Sequence, residues 1–174
     1  IPGWFYRSAH AVSDSVFQRF SGRSGSTLVA VHIQDERLHW LSVGDSGIFL
    51  LRGGGVFQLN REHTCLNRLL LQELEREPID KGRALSDPDA PRLTSFVGID
   101  RLTEVDLSLR PLELQRGDVL LLCSDGISGV LTPPELMEAM SLSPEEGCAL
   151  LEQMVLEKGV PGQDNYTGVL ISCQ

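Results

Sequence analysis

The stretch best suited to chemistry is Val119-Leu120-Leu121-Leu122-Cys123-Ser124-Asp125-Gly126. Its five apolar residues, bounded by turn residues on both sides, read as a strand buried on both faces and too short for a membrane span. A carboxylate at the end of such a strand is held in one position, and the glycine after it lets the backbone turn sharply or approach a ligand closely. An aspartate mounted in this way suits metal binding. Ser124-Asp125-Gly126 also reads as an ordinary strand-ending turn. Two further aspartates stand at comparable joints. Asp45 lies in Gly44-Asp45-Ser46-Gly47, which interrupts a strand pattern, and Asp164 opens a polar lead-in, Asp164-Asn165, to the last apolar run. Read locally, Asp45 is a turn residue and Asp164 caps that lead-in.

The elements that must position these residues follow from periodicity. Ala9, Val12, Val16, Phe17 and Phe20 make one apolar face of a helix over residues 6–20. Ser26 to Ile33 and Arg37 to Val43, linked by Gln34-Asp35-Glu36, predict an antiparallel hairpin. Ile48 to Leu51 and Val56 to Leu59, joined through Gly53-Gly54-Gly55, extend it into a meander and exclude a Rossmann-type alternation. The triple glycine is no phosphate loop, because neither Gly-Lys-Ser/Thr nor a helix follows it. Residues 65–76 predict a helix with Leu66, Leu69, Leu70 and Leu74 on one face, closed by Pro78. Ile79 to Arg92 lacks apolar periodicity and is expected to be an irregular flap. Leu93 to Gly98 reads as a short strand. Glu104 to Leu114 reads as a half-buried strand with Val105, Leu107 and Leu109 on one side. Thr132-Pro133-Pro134-Glu135 and Ser143-Pro144-Glu145-Glu146 are two helix starts, the second helix ending near Gly159, and the run up to Cys173 is expected to be a buried strand.

Composition sets the class. A chain of 174 residues, 41% hydrophobic and 22% charged, suits one globular domain with a continuous core. Acidic residues outnumber basic ones 24 to 15, for a net charge of −9, and the basic ones are scattered. That balance argues against nucleic acid or an anionic membrane as partner and suits a protein that collects divalent cations. Cys65, Cys123, Cys148 and Cys173 form no Cys-x-x-Cys pair, as expected of reduced cysteines in a cytoplasmic protein. The first residue, Ile1, predicts a piece of a longer product.

The order of the punctuation is itself informative: a helix, then Gly25-Ser26-Thr27, Val43-Gly44-Asp45-Ser46, Glu62-His63-Thr64, Leu93-Thr94 with Gly98, Ser124-Asp125-Gly126, and Asp164-Asn165 with Thr167. The pattern resembles the metal-dependent Ser/Thr protein phosphatases of the protein phosphatase 2C family in their compact bacterial form, from Gly25 to Ile171. The resemblance implies an α+β fold, a four-layer α-β-β-α sandwich of two antiparallel sheets flanked by helices. It implies that Asp125 and Asp164 are metal ligands and that Asp45 serves an additional, weakly held ion, with Ser124, Gly126 and Asn165 adjacent. The implied cofactor is Mn²⁺ or Mg²⁺, two or three ions in the complete site. The implied activity is hydrolysis of phosphoserine and phosphothreonine by metal-activated water, on phosphoprotein substrates opposite a cognate kinase in signalling.

The departures from the family pattern are equally specific. The early phosphate-gripping Arg, an early acidic ligand and an Asp-Gly-x-Gly-Gly motif are absent from residues 1–174, which predicts a single domain lacking its N-terminal strands and self-association through an uncovered sheet. Gly47 stands where the family often has Arg. No residue here takes the general-acid role; His63 matches a different family position and is expected to pack or hydrogen-bond locally. The alternative function is a catalytically dead phosphatase-like regulatory or binding domain.

Overall fold

The computed structural model describes residues 1–174 throughout. Helix α1 (Pro2–Phe20) leads into strands β1 (Leu28–Gln34) and β2 (Arg37–Val43), the predicted hairpin, which pairs Leu28 with Val43 and Gln34 with Arg37. Strands β3 (Gly47–Arg52) and β4 (Gly55–Gln58) form the second hairpin. Helix α2 (Cys65–Leu74) precedes the flap, which holds α3 (Lys81–Leu85), and β5 (Asp106–Leu107) and β6 (Leu112–Glu113) follow it. Then come β7 (Val119–Cys123), the short α4 (Asp125–Ser128), α5 (Pro133–Met140), α6 (Pro144–Lys158) and β8 (Gly168–Ser172).

Two antiparallel sheets result. One pairs β2 with β1 on one side and with β5 and β6 on the other, and the second runs β4-β3-β7-β8. Side-chain alternation sorts the strands into layers. On β2, Leu41 and Val43 pack with Phe5 and Ala9 of α1, while Leu38 and Trp40 face the other sheet. On β7, Leu121 and Cys123 pack against Leu136, Met140, Leu151 and Val155 of α5 and α6, while Leu120 and Leu122 meet Leu38, Leu50 and Leu114 between the sheets. The order is therefore α1, sheet, sheet, α5 with α6, the four-layer sandwich expected. Helix starts are chemically marked. The Ser143 hydroxyl accepts the Glu146 N–H at 3.4 Å. The Glu135 carboxylate accepts the Thr132 N–H at 2.8 Å and its hydroxyl at 2.7 Å.

Several local expectations are corrected. Residues 93–98 form no strand; Val97 bridges Ser26 and Leu93 bridges Thr64, one residue each, because the segment passes between two partners. The strand expected over Glu104 to Leu114 splits into β5 and β6, leaving Leu109 81% exposed. Buried Ser108 interrupts it, its hydroxyl accepting the Trp40 N–H at 3.0 Å, and Pro111 has no N–H to donate. The flap holds a short helix, α3, started by Asp80, whose side chain accepts the Gly82 N–H. On α2, Leu66, Leu69 and Leu70 of the expected face are half-buried and Leu74 is exposed, while the buried residue is Glu73, 4% accessible and paired with Arg76 and Arg83. An amphipathic pattern there closes a flap and not a core. The final strand is only partly buried, with Val169 51% exposed, since β8 has one neighbour, β7. All four cysteines are free, and no helix is long and apolar enough to cross a membrane.

Candidate metal centre

The β3–β7 ladder pairs Leu51 with Val119 at one end and Gly47 with Cys123 at the other. Asp45 and Asp125 each lie two residues beyond that last pair, so antiparallel register alone brings them to the same end of the sheet. Strand β8 pairs its Gly168 with the same Cys123, and the segment before it carries Asp164 to that end too. All three aspartates line one cleft of about 450 Å³, with Ser26 and Thr27 from the start of β1 and Leu93 and Phe96 from the return of the flap.

The turn that carries Asp125 is stitched to the segment that carries Asp164. The Ser124 N–H donates to the Thr167 carbonyl at 3.0 Å, the Thr167 N–H to the Ser124 hydroxyl at 3.1 Å, and the Gln163 amide to the Gly126 carbonyl at 3.0 Å. A side chain at Gly126 would have its Cβ only 2.6 Å from the Asn165 carbonyl oxygen, so glycine is what lets the two segments touch. The Asp164 carboxylate accepts the Asn165 N–H at 2.7 Å. Ser124, Gly126 and Asn165 thus act where the two segments meet, through backbone and hydroxyl groups.

The Asp45 turn is braced from both sides. Gly44 has φ +100°, and a Cβ there would stand 2.5 Å from Thr27 Cγ2, so no other residue fits the turn without strain. The Thr27 and Ser46 hydroxyls are hydrogen-bonded at 2.8 Å. Buried Asn60 accepts the Ile48 N–H at 2.7 Å and donates to the Ser46 carbonyl at 2.9 Å and the Ser42 hydroxyl at 3.1 Å. His63 donates its N–H to the Gly44 carbonyl at 2.9 Å, and its Nδ1 accepts the Gly44 N–H at 3.0 Å. The local hydrogen-bonding role expected of His63 is therefore what it has, and burial pushes its pKa down, favouring the neutral ring. Sequence reasoning missed Thr27 and Asn60 as braces. The available signal was the apolar-to-polar break at Leu59-Asn60 immediately after a strand.

Electrostatics mark the cleft as cation-seeking. Burial raises the Asp45 carboxyl above the usual aspartate value, and the negative charges of Asp125 and Glu62 push it further. Crowded carboxylates of this kind are relieved by a cation. The donor set, carboxylates with two neighbouring hydroxyls, is hard oxygen and fits Mg²⁺ or Mn²⁺ in chemistry. No three or more His, Cys, Asp or Glu residues stand close enough together to enclose one ion unaided. That number suits a cation held by one or two carboxylates and several waters, as Mg²⁺ commonly is.

Residues 5–78 match the sequence model of the family described as protein phosphatase 2C. The serine/threonine protein phosphatase PstP of Mycobacterium tuberculosis is 31% identical over 150 residues, 84% of this chain and 27% of its own length. The serine/threonine phosphatase stp of Listeria innocua is 29% identical over 151 residues, 84% of this chain and 56% of its own length. The chain thus spans from about a quarter to just over half of these curated relatives. In fold, the serine/threonine phosphatase of S. agalactiae superposes with a TM-score of 0.82 at 24% identity, covering 99% of this chain and 70% of that one. Sequence kinship along most of the chain and a family match over residues 5–78 make this chain similar to the protein phosphatase 2C family, whose fold it shares.

Proposed function

We propose that the protein containing this chain hydrolyses phosphoserine and phosphothreonine in phosphoproteins, with Mn²⁺ or Mg²⁺ as cofactor, that Asp125 and Asp164 are metal ligands, and that Asp45 serves an additional, weakly held ion. The observation that carries the reading is the delivery of three aspartates, from the ends of three different strands, into one cleft. A neighbouring fold, the catalytic domain of PstP, was solved in complex with 2 manganese ions, which supports the same chemistry for the donors here.

When bound, such a cation activates water and stabilises phosphoryl oxygens as a Lewis acid. The residues of the chain supply the rest. The carboxylates of Asp125 and Asp164 approach from segments locked to each other, so their separation is preset. Asp45 is fixed by buried braces on both sides. Leu93 and Phe96 give the cleft an apolar wall that limits water around a bound phosphoester.

Residues 1–174 are read as a single domain that further strands extend. The supporting feature is that β1 and β8 each pair on one side only, and the same open edges favour self-association. A concentration-independent monomer mass in light scattering would count against self-association. The substrates, an opposing kinase, a cytoplasmic location and a signalling role belong to this reading as well.

The test is phosphate release from a phosphothreonine peptide by the full-length protein with Mn²⁺ or Mg²⁺ supplied, beside Asp125→Asn. Metal-dependent release that the substitution abolishes is expected. No release would overturn the activity and leave the regulatory-domain alternative, and release untouched by Asp125→Asn would overturn the ligand role of Asp125.

A further inference from the structure

Asp45 can serve a cation only if its turn holds one conformation, and a residue outside the cleft, His63, hydrogen-bonds both peptide groups of Gly44 in that turn. Gly44 is flanked by two peptide planes. The plane before it ends in the Gly44 N–H, which donates to His63 Nδ1 at 3.0 Å. The plane after it, shared with Asp45, begins with the Gly44 carbonyl, which accepts the His63 N–H at 2.9 Å. One residue therefore fixes both rotations about a glycine whose φ of +100° gives it no side-chain restraint of its own.

The donor in the first of these bonds is a backbone N–H, so the acceptor Nδ1 must be bare. In the neutral ring the proton then sits on Nε2. Nε2 is buried without a protein partner, in a residue that is 2% exposed. His63 also lines a cavity of about 40 Å³ shared with Arg68, Thr94 and Glu104, large enough for one water that can accept from Nε2. The His63 carbonyl accepts the Thr94 N–H at 2.8 Å, next to Leu93 of the cleft wall, so the brace is anchored on the flap side as well.

We propose that His63 is a positioning residue for Asp45: in its Nε2-protonated tautomer it accepts the Gly44 N–H, holds the Gly44–Asp45 peptide in register with Asp125, and thereby sets cation affinity at Asp45 without touching the cation. The role rests on the phosphatase reading only in taking Asp45 as a ligand. The brace itself is a property of the fold.

The two are separated by measuring them separately in the full-length protein. A long-range ¹H–¹⁵N correlation on the wild type should show His63 with Nε2 protonated and Nδ1 unprotonated, and the Gly44 amide should exchange slowly. Asn at this position can place its carbonyl oxygen near where Nδ1 lies, whereas Gln reaches instead toward Nε2. His63→Asn should therefore keep Mn²⁺ affinity within about threefold of wild type and retain Gly44 protection. His63→Gln and His63→Leu should lose about 10- to 100-fold in Mn²⁺ affinity, the range for partners that orient a metal ligand, and lose that protection. An Nδ1-protonated ring, equal losses in the Asn and Gln variants, or an unimpaired Leu variant would overturn the proposal. Absence of Mn²⁺ binding by the wild type would instead strike the phosphatase reading and the ligand role of Asp45 with it, and the tautomer and Gly44 exchange would still decide the brace.

Discussion

The ladder that aligns Asp45 with Asp125 is locked at its far end by a buried ion pair, and breaking that pair should be costly. Asp118, just before β7, keeps 3% of its side chain exposed, against 26% for its partner Arg52 at the end of β3. The carboxylate accepts from Arg52 Nε at 2.9 Å and from Nη2, and from the Gln115 N–H at 2.7 Å. Arg52 Nη2 also donates to the Glu113 carbonyl at 2.8 Å. Arg52→Met keeps an apolar stem against the sheet and removes only the charge and the donors. A buried pair that loses one partner costs about 3–5 kcal/mol. Because water already reaches Arg52 and the Gln115 bond remains, roughly 2–3 kcal/mol is expected at pH 7. For a chain of this size that corresponds to a fall in Tm of roughly 4–12 °C. The pH dependence has a definite sign. Donation from Arg52 is the main reason the Asp118 carboxyl titrates below the usual aspartate value. Its stabilisation is therefore complete above an unfolded pKa of about 3.9 and is lost as pH falls through the lower folded value. Urea unfolding of wild type and Arg52→Met at pH 7 and at stepwise lower pH should show the gap narrowing as the solution is acidified below about pH 4. A gap under about 0.5 kcal/mol at pH 7, within the range of ordinary surface substitutions, would refute the reasoning. So would a gap that widens on acidification.

Other consequences are as direct. Gly126→Ala puts a Cβ 2.6 Å from the Asn165 carbonyl oxygen; it should cost about 1–3 kcal/mol and weaken Mn²⁺ binding, and wild-type values in both chemical denaturation and calorimetric titration would count against the close approach. Asp125→Asn removes one of the charges that raise the Asp45 carboxyl, so in a carboxyl ¹³C NMR titration without metal Asp45 should move down while staying above an ordinary aspartate, because its burial remains; an unmoved Asp45 would show that the two do not share the cleft. At the start of α5, Thr132→Ala deletes the hydroxyl that donates to Glu135 at 2.7 Å and should lower stability by about 1 kcal/mol, read as a shifted urea midpoint.

The elements with strong periodic or capping chemistry were legible from sequence. β2 runs over Arg37–Val43 as expected, and α5 and α6 begin after Thr132 and Ser143, as their proline and glutamate patterns require. What misled were segments whose environment is set by distant partners. The leucines of α2 imply a core, yet α2 covers a flap and buries Glu73 between two arginines. Alternation from Val105 to Leu109 implies one strand, yet Ser108 turns inward to hydrogen-bond β2 and breaks it.

The site divides in the same way. Sequence by itself singled out the candidate ligands: Asp125 after a buried strand with glycine behind it, Asp45 in Gly44-Asp45-Ser46-Gly47, Asp164 before the final strand. These features are local, because backbone conformation and strand burial depend on a few neighbouring residues. Only the tertiary structure decided that the three share a cleft, since that follows from the antiparallel register of β3, β7 and β8 across more than a hundred residues of chain. It alone showed the braces as well. Asn60 had no role in the linear reading and His63 only a local hydrogen bond without a named partner; both reach the Asp45 turn because the chain after β4 folds back to within hydrogen-bond distance of it, where buried backbone groups must find partners.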